Sequence, residues 1–322
     1  MSERILVTGG AGFIGSHLVD ALVGLGHQVV VVDNLSSGLR QNINPGAKFY
    51  QVSIRDQELA TIFEQERPQL VYHHAAQINV RRSADNPILD AEENILGSLN
   101  VITNCLRSGV KKIIYASTGG AIYGEAEHLP ADEKHRINPI SQYGVSKHAV
   151  EHYLYLYGAV YGLEYVILRY SNVYGPRQNP RGEAGVVAVF AAQMLSGERP
   201  TIFGRGDKTR DYVYVSDVVQ ANILALERGK NAIYNIGTGV ETSDQQIFDT
   251  LAEVLGYKGD PIYAPYRKGE IYRICLDRSK AQEDLGWSPR VSLKEGIAET
   301  AEYCRTLASH PGVLRPLPEQ SF

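Results

Sequence analysis

The chain of 322 residues contains few of the groups that build disulfide frameworks, metal centres or membrane spans. Its three cysteines, Cys105, Cys275 and Cys304, are odd in number and lack a CxxC spacing, which argues against disulfides and a zinc site. No run of 18 apolar residues occurs, and a strand-like run beginning at Ile5 leaves no room for a signal peptide. We therefore expect no metal, no membrane partner and a cytoplasmic location.

An excess of positive charge is also missing. The sequence has 32 lysines and arginines against 36 aspartates and glutamates, with a formal net charge of -4 and a pI of about 6.2. This balance argues against nucleic acid as a partner, so any anion site must be local. A chain of this length can bury a large core, and one large α/β domain with a smaller lobe fits it.

Short apolar runs alternate with helix-length segments along the first half of the chain. Residues 4–8 and 29–32 are strand-like runs on either side of an amphipathic segment at 17–22. This strand, helix, strand order predicts a βαβ unit and a parallel sheet. Similar runs lie at 70–73, 112–116 and 165–169, with helix-length segments at 91–108 and 142–160. The pattern predicts a Rossmann-type doubly wound parallel sheet.

Beyond Tyr170 the alternation gives way to loops rich in glycine and proline, which indicates a second, smaller α/β lobe. We predict that residues 1–169 form the dinucleotide-binding Rossmann domain and that residues 210–236 return to it. Residues 170–209 and 237–322 are predicted to form a substrate-binding lobe.

Three glycines follow the first predicted strand with the spacing GxxGxxG: Gly9, Gly12 and Gly15. Such a turn lets the backbone approach a pyrophosphate, and the next helix presents free N–H groups. Asp33 lies 21 residues after Gly12, where a carboxylate can bond the ribose 2′-hydroxyl, which favours NAD over NADP. Two plainer interpretations stay open: glycines that only form turns, and an Asx turn at Asp33-Asn34.

A second motif is the pair Tyr143 and Lys147, which follows a helix-start pattern at 138–141. At a spacing of i,i+4 both side chains lie on one helix face. A neighbouring ammonium is expected to lower the tyrosine pKa from ~10, as a base acting near neutrality requires. A solvated helix face is the alternative, because the sequence contains 20 tyrosines.

Hydroxyl groups stand at the end of a predicted strand in the segment 116–124. Ser117 and Thr118 would therefore lie at the carboxyl edge of the sheet, where ligands bind in doubly wound folds. A Ser/Thr turn is the alternative interpretation of these residues.

Together these residues resemble the motifs of the extended short-chain dehydrogenase/reductase family, and within it those of the UDP-glucose 4-epimerases. The resemblance extends over essentially the whole chain. The matching segments are 8–17, 33–38, 143–147, 169–176, 210–215, 277–281 and 285–287. The resemblance also implies a homodimer, in which the helices at 91–108 and 142–160 pair across a two-fold axis.

The resemblance implies NAD as the cofactor and a UDP-sugar as the substrate. The residues implied to hold NAD are Gly9, Gly12, Phe13, Ile14, Gly15, Asp33, Asn34, Ser53, Ile54, Ala75, Ala76, Gln77, Asn94, Tyr143, Lys147 and Tyr170. The residues implied to be catalytic are Tyr143, Lys147, Thr118 and Ser117. The residues implied to bind the substrate are Thr118, Tyr143, Asn172, Arg210, Arg267 and Glu270. The two arginines would hold its diphosphate, because guanidinium groups suit phosphate oxygens, and surface ion pairs are the alternative.

Three positions depart from the family's pattern. Ser53 stands where the family often has an aspartate that bonds adenine, and Glu270 replaces an aspartate after the phosphate-binding arginine. Gly119 stands where the family has a catalytic serine. We expect Gly119 and the glycine after it to let the strand end kink, so that Thr118 first, or Ser117 second, supplies the missing hydroxyl.

The implied reaction is the interconversion of UDP-glucose and UDP-galactose through a 4-keto sugar. Epimerases of N-acetylated or uronate UDP-sugars stay open, as do 4,6-dehydratases and decarboxylases. A dehydratase needs an acid pair where this sequence has Gly119, Gly120 and Ala121, so epimerisation is favoured. A non-catalytic NAD-sensing regulator is the alternative from another class, and the pair Tyr143 and Lys147 argues against it because sensing needs neither.

Overall fold

The computed structural model describes residues 2–180, 185–267 and 269–308. Its strands are β1 (Arg4–Thr8), β2 (Gln28–Val32), β3 (Lys48–Tyr50), β4 (Leu70–His73), β5 (Lys112–Thr118), β6 (Glu164–Tyr170), β7 (Asn172–Tyr174), β8 (Thr201–Phe203), β9 (Thr209–Arg210), β10 (Tyr212–Tyr214), β11 (Ala232–Ile236), β12 (Thr242–Ser243) and β13 (Ile262–Ala264). Its α-helices are α1 (Phe13–Gly24), α2 (Glu58–Glu66), α3 (Val80–Asp85), α4 (Pro87–Ala91), α5 (Gly97–Arg107), α6 (Gly119–Ile122), α7 (Gln142–Tyr161), α8 (Val186–Leu195), α9 (Val215–Glu227), α10 (Asp244–Leu255), α11 (Ser279–Leu285) and α12 (Leu293–Ala308). A 3-10 turn at Arg40–Asn42 and a π-helical turn at Glu92–Leu96 complete the regular structure of these ranges.

Seven parallel strands form the central sheet in the order β11, β6, β5, β4, β1, β2, β3. The winding reverses between β1 and β4, which opens a crevice at the carboxyl ends of these strands. Strands such as β2 are continuous apolar runs because helices cover both faces of the sheet. The predicted Rossmann-type doubly wound fold is confirmed.

Two apolar cores lie on the two faces of this sheet. One contains the buried faces of α1 and α9, with Trp287 fully buried beside them. The other contains the buried faces of α2, α5 and α7. The predicted division of the chain, 1–169 with 210–236 against 170–209 with 237–322, stays a prediction.

A third apolar core joins α8, α10 and α12, which belong to the later part of the chain. Three two-stranded pairs accompany it: β7 with β10, β9 with β12, and β8 with β13. The carboxyl edge of the large sheet and these short strands form the two sides of a cleft that contains the candidate site.

Of the two long helices predicted from the sequence, one is interrupted in the structure and the other is continuous. The segment predicted as one helix over 91–108 is interrupted by the π-helical turn, which carries the buried Asn94. The helix predicted over 142–160 is α7, which begins after Ser141, whose side chain accepts the Gly144 N–H at 3.2 Å. It ends at Tyr161 and is capped by Gly162, whose φ of 77° favours glycine.

None of the helices in the described ranges is long and apolar enough to cross a membrane. The described residues also include no cluster of three or more histidine, cysteine, aspartate or glutamate side chains that could hold a metal ion.

Candidate active site

The glycine loop connects β1 to the N-terminus of α1, and the backbone leaves no space for a side chain at Gly9 or Gly15. A Cβ atom on Gly9, whose φ is +71°, would lie 2.6 Å from the Ala75 backbone nitrogen. A Cβ on Gly15 would lie 2.2 Å from the Gly9 carbonyl oxygen. The first turn of α1 carries no acidic residue and no side-chain cap, and its residues Phe13, Ile14 and Gly15 line the crevice. This cradle fits a pyrophosphate, as the sequence predicts.

The Asp33 carboxylate is held at the end of β2 by two backbone N–H groups. Oδ2 accepts the Ala11 N–H at 3.0 Å, and Oδ1 accepts the Leu35 N–H at 2.8 Å. The second bond is the Asx turn considered as the alternative. A carboxylate can accept about four hydrogen bonds, so both oxygens keep capacity for ribose hydroxyls. Burial raises the pKa of Asp33, although the Leu35 and Ala11 N–H groups lower it.

These groups line a cavity of about 460 Å³ along the crevice. Every residue predicted to hold NAD lines this cavity except Ser53 and Asn94. Asn94 is buried, and its amide bonds the backbone N–H and carbonyl of Gln77 at 2.8 and 2.9 Å, so that it supports the cavity wall. The Ser53 hydroxyl accepts the Arg55 N–H at 3.2 Å in a local turn. The remaining predicted set forms a continuous surface for a dinucleotide.

Tyr143 and Lys147 project from α7 toward the end of β5. Lys147 is buried, and its Nζ donates to the Ala116 carbonyl at 2.8 Å and lies 4.7 Å from the centre of the Tyr115 ring. Tyr143 is half-buried and lines both this cavity and the one beside it. The motif therefore lies at the junction of two cavities. This position argues against the alternative interpretation of the pair as part of a solvated helix face.

The expected lowering of the Tyr143 pKa is wrong for this arrangement. Burial raises the pKa of Tyr143, and the Asp90 carboxylate raises it further. Burial also lowers the pKa of Lys147 to about 7, although Asp90 and Glu151 raise it. Desolvation disfavours both charged forms, so the spacing of the two residues does not by itself produce a phenolate.

Ser117 belongs to a buried network that the sequence analysis missed. Its hydroxyl donates to Glu151 Oε1 at 2.6 Å, and Arg169 binds both oxygens of the same carboxylate at 3.0 and 2.6 Å. Burial raises the pKa of Glu151, but hydrogen bonds from His148, Arg169 and Ser117 lower it to about 2. The signal for Glu151 was its position four residues after Lys147, on the same face of α7.

Thr118 is the last residue of β5 and lines the second cavity, and its hydroxyl has no hydrogen bond to the described residues. Neither Gly119 nor Gly120 has a positive φ, so the chain passes from β5 directly into α6 without a backbone conformation that favours glycine. Instead, a Cβ on Gly119 would lie 2.4 Å from Cδ1 of Leu276. A side chain at 119 is disfavoured because the buried Leu276 side chain fills the space that it would need.

The second cavity, of about 1160 Å³, lies between the sheet edge and the later part of the chain, and every predicted substrate-binding residue lines it. Arg210 donates to the Thr209 carbonyl at 2.8 Å. Arg267 lies 3.2 Å from the centre of the Phe203 ring and 3.7 Å from the Glu270 carboxylate. Arg267 therefore does form an ion pair, as the alternative interpretation had it, but its partner Glu270 also lines the cleft.

Lys208 is a further cation in this cleft that sequence analysis did not identify. It is buried, lines the cavity and forms an ion pair with Glu270. Its position two residues before Arg210, immediately before β9, was the available signal. Together with Arg210 and Arg267, Lys208 gives the cleft a group of cations that suits a diphosphate.

Comparisons with known proteins agree with this geometry. A family model described as "NAD dependent epimerase/dehydratase family" matches residues 5–237. The chain is similar to a putative UDP-glucose 4-epimerase of Methanocaldococcus jannaschii, with 51% identity over 94% of this chain and 98% of that protein. It is also similar to the crystal structure of the Thermotoga maritima UDP-glucose 4-epimerase with UDP-glucose, with 53% identity, a TM-score of 0.93 and coverage of 94% and 99%. The Thermus thermophilus UDP-glucose 4-epimerase in complex with NAD has 46% identity, a TM-score of 0.90 and coverage of 94% and 99%.

The contact with Leu276 predicts that alanine at Gly119 destabilises the protein more than alanine at the adjacent Gly120. Gly119→Ala should lower the free energy of unfolding by about 1–3 kcal/mol, the usual cost of forcing atoms into filled space. Gly120→Ala is the matched control, because its Cβ would meet only the Asn172 side chain, at 3.3 Å, and the Thr118 hydroxyl, at 3.9 Å. Urea unfolding at fixed, saturating NAD measures both, since bound ligand adds to stability. Equal midpoints for the two variants would refute the role of Leu276.

Proposed function

The chain belongs to the NAD dependent epimerase/dehydratase family, and from this premise we propose that it is an isomerase that interconverts UDP-glucose and UDP-galactose with NAD as its cofactor. The observation that carries the proposal is the position of Tyr143, at the junction of a dinucleotide cavity and a cation-lined substrate cavity. Incubating the protein with UDP-glucose and with UDP-galactose and resolving the products tests it. The same assay with N-acetylated and uronate UDP-sugars separates the other epimerases, and the absence of any turnover would favour a regulator.

Each part of the site has an assigned task in this proposal. Residues 1–169 with 211–236 hold the cofactor, and 170–209 with 237–322, together with Arg210 at the boundary, hold the sugar nucleotide. Arg210, Arg267 and the buried Lys208 hold the diphosphate, which keeps the UDP in place while the oxidised sugar turns. Hydrogen exchange should show protection mainly in the second set of residues when UDP is added. Protection confined to the first set would contradict this division.

Tyr143 accepts the proton of the 4′-hydroxyl and returns a proton to the same oxygen after the sugar has turned. NAD, when bound, supplies the hydride acceptor and donor for C4′ and a positive charge on its oxidised nicotinamide ring, which favours the phenolate. Lys147 adds a second positive charge when protonated. Lys147 is fixed through the Ala116 carbonyl at 2.8 Å.

Thr118 supplies the hydroxyl that relays the proton between Tyr143 and the 4′-oxygen. Its hydroxyl lies in the substrate cavity without a described partner, whereas Ser117 donates to Glu151. A relay must be able to donate and accept in turn, so the hydroxyl that is already committed to a carboxylate suits this role less.

We also propose that the protein is a homodimer and is located in the cytoplasm. Apolar side chains on and beside α5 and α7 are exposed: Leu96 58%, Val145 52%, Tyr155 63%, Leu156 45% and Val160 61%. Such a surface is typical of an interface. The free thiols of the three buried cysteines suit a reducing compartment. Recovery of the native protein from a secreted or membrane fraction would contradict the location.

The first prediction is that Tyr143→Phe lowers kcat by about 10²-fold or more, the usual scale for a positioned base, with little change in substrate affinity. Tyr115→Phe is a matched control, because this ring also lies beside Lys147 while its hydroxyl is buried, unpaired and outside both cavities. Steady-state kinetics with UDP-galactose measures both variants. A Tyr143→Phe enzyme within threefold of wild type would remove this tyrosine from the mechanism.

The second prediction separates the two hydroxyls at the end of β5. Thr118→Val keeps the shape and β-branching but removes the hydroxyl, so kcat should fall by about 10-fold or more with the melting temperature unchanged. Ser117→Ala should reduce kcat less, because its hydroxyl serves Glu151. If Thr118→Val keeps the wild-type kcat while Ser117→Ala loses most of it, the relay role belongs to Ser117 and not to Thr118.

The third prediction concerns the dimer. Light scattering should give twice the chain mass at micromolar concentration, and Leu156→Asp, which places a charge in the proposed interface, should give the monomer mass. Ile262→Asp is the control, since Ile262 is similarly exposed at 43% but lies on β13, away from α7. A monomeric wild-type protein would end this proposal.

A further inference from the structure

Two histidines of α7, His148 and His152, lie one helical turn apart, and neither lines the dinucleotide or the substrate cavity. Their Nε2 atoms are 3.1 Å apart, and their ring centres are 4.5 Å apart. His152 is exposed, and 26% of the His148 side chain is exposed. Because residues at i,i+4 share a helix face, both rings are open to one small ligand from solvent.

The Glu151 carboxylate fixes which nitrogen of His148 carries the proton. Although burial raises the pKa of Glu151, its hydrogen bonds lower it to about 2, so this carboxylate is ionised and only accepts. Its Oε2 lies 3.3 Å from His148 Nδ1, so Nδ1 donates and Nε2 of the neutral ring keeps its lone pair. Ser117 and Arg169 occupy the rest of the carboxylate, which therefore anchors the ring and is not itself a ligand. A histidine that donates one N–H to a carboxylate and keeps the other nitrogen free is the usual arrangement of a metal ligand.

The separation of the two Nε2 atoms matches that of two nitrogens bound to one metal ion. Zinc holds imidazole nitrogens at about 2.0–2.1 Å, which places two of them about 3.3 Å apart around a tetrahedral ion. The alternative is a simple hydrogen bond, in which His152 Nε2 donates to His148 Nε2. Since His152 is exposed, its proton can move to Nδ1, where water accepts it, and both Nε2 lone pairs then face the metal.

We propose that His148 and His152 bind a divalent first-row transition cation through their Nε2 atoms, with Glu151 orienting His148. Imidazole suits zinc, copper and nickel, whereas magnesium and calcium prefer oxygen ligands. With two protein ligands, water fills the other coordination positions. The cysteine pattern, from which no metal was expected, does not bear on two histidines of one helix. The site is separate from both cavities and does not rest on the proposed function.

Titration of the tag-free protein with Zn²⁺ by isothermal titration calorimetry tests this site. The wild type should bind Zn²⁺, and His152→Gln should weaken the binding about 10-fold or more, because one of two ligands is lost. His152 is exposed, so this variant keeps the fold. His148→Gln should weaken the binding to a similar extent. Titration of the wild type with Mg²⁺ should give no comparable binding, since the ligands are nitrogens.

His128→Gln is the matched control, because the His128 and His135 rings are also close, with centres 4.7 Å apart. In that pair, His135 Nε2 accepts the Glu127 N–H at 3.0 Å, and Nδ1 lies 2.8 Å from the Arg136 carbonyl. Both ring nitrogens of His135 are therefore engaged, and the pair cannot chelate. Zn²⁺ binding by His128→Gln should equal that of the wild type, and a loss as large as in His152→Gln would overturn the proposal.

The ratio of metal to protein checks that both ligands come from one chain. His148 and His152 lie between Val145 and Leu156, which belong to the proposed dimer interface. A single-chain site gives about one Zn²⁺ per chain, whereas about one per two chains would show that two copies share the cation and would overturn this coordination. A wild type that binds no Zn²⁺, or wild-type affinity in both histidine variants of α7, would leave the pair as a hydrogen bond. Turnover of UDP-sugars is measured separately, so failure of this site leaves the proposed function untouched.

Discussion

The buried ion pair between Glu151 and Arg169 is the interaction on which the geometry of the site depends. It joins α7, which carries Tyr143 and Lys147, to β6, the neighbour of the strand that ends in Thr118. A buried pair of this kind costs desolvation, and losing one partner typically costs about 3–5 kcal/mol, so both charges must be retained together. The tyrosine and the threonine keep their relative positions because this pair holds their two elements in one arrangement.

The hydrogen-bond network extends from Arg169 to the edge strand β11. Arg169 NH1 donates to the Tyr123 hydroxyl at 2.9 Å, and that hydroxyl donates to Asn235 of β11 at 2.7 Å. Strand β11 is thus connected through Tyr123 and Arg169 to α7. Satisfied buried polar networks specify a single arrangement, which a catalytic geometry requires.

The two cavities differ in the groups that they offer to a bound anion. The dinucleotide cavity offers backbone N–H groups at the start of α1, whereas the substrate cavity offers side-chain cations, of which Lys208 is buried. Tyr143 stands between them in surroundings that raise its pKa, so its ionisation depends on which charges occupy the site. In the proposed mechanism, positive charge from the bound cofactor or from protonated Lys147 is needed to lower the pKa of Tyr143.

Much of this enzyme was predictable from sequence because the relevant physics is local. The period of the apolar runs predicted the doubly wound sheet, and the glycine spacing and the i,i+4 spacing of Tyr143 and Lys147 are properties of one turn or one helix. Tertiary structure decided what depends on distant neighbours. Leu276 excludes a side chain at Gly119, Glu151 engages the Ser117 hydroxyl, and burial raises the pKa of Tyr143 where the spacing predicted a lower one. Excluded volume and desolvation are set by every atom packed nearby, and the order of residues along one segment does not contain that information.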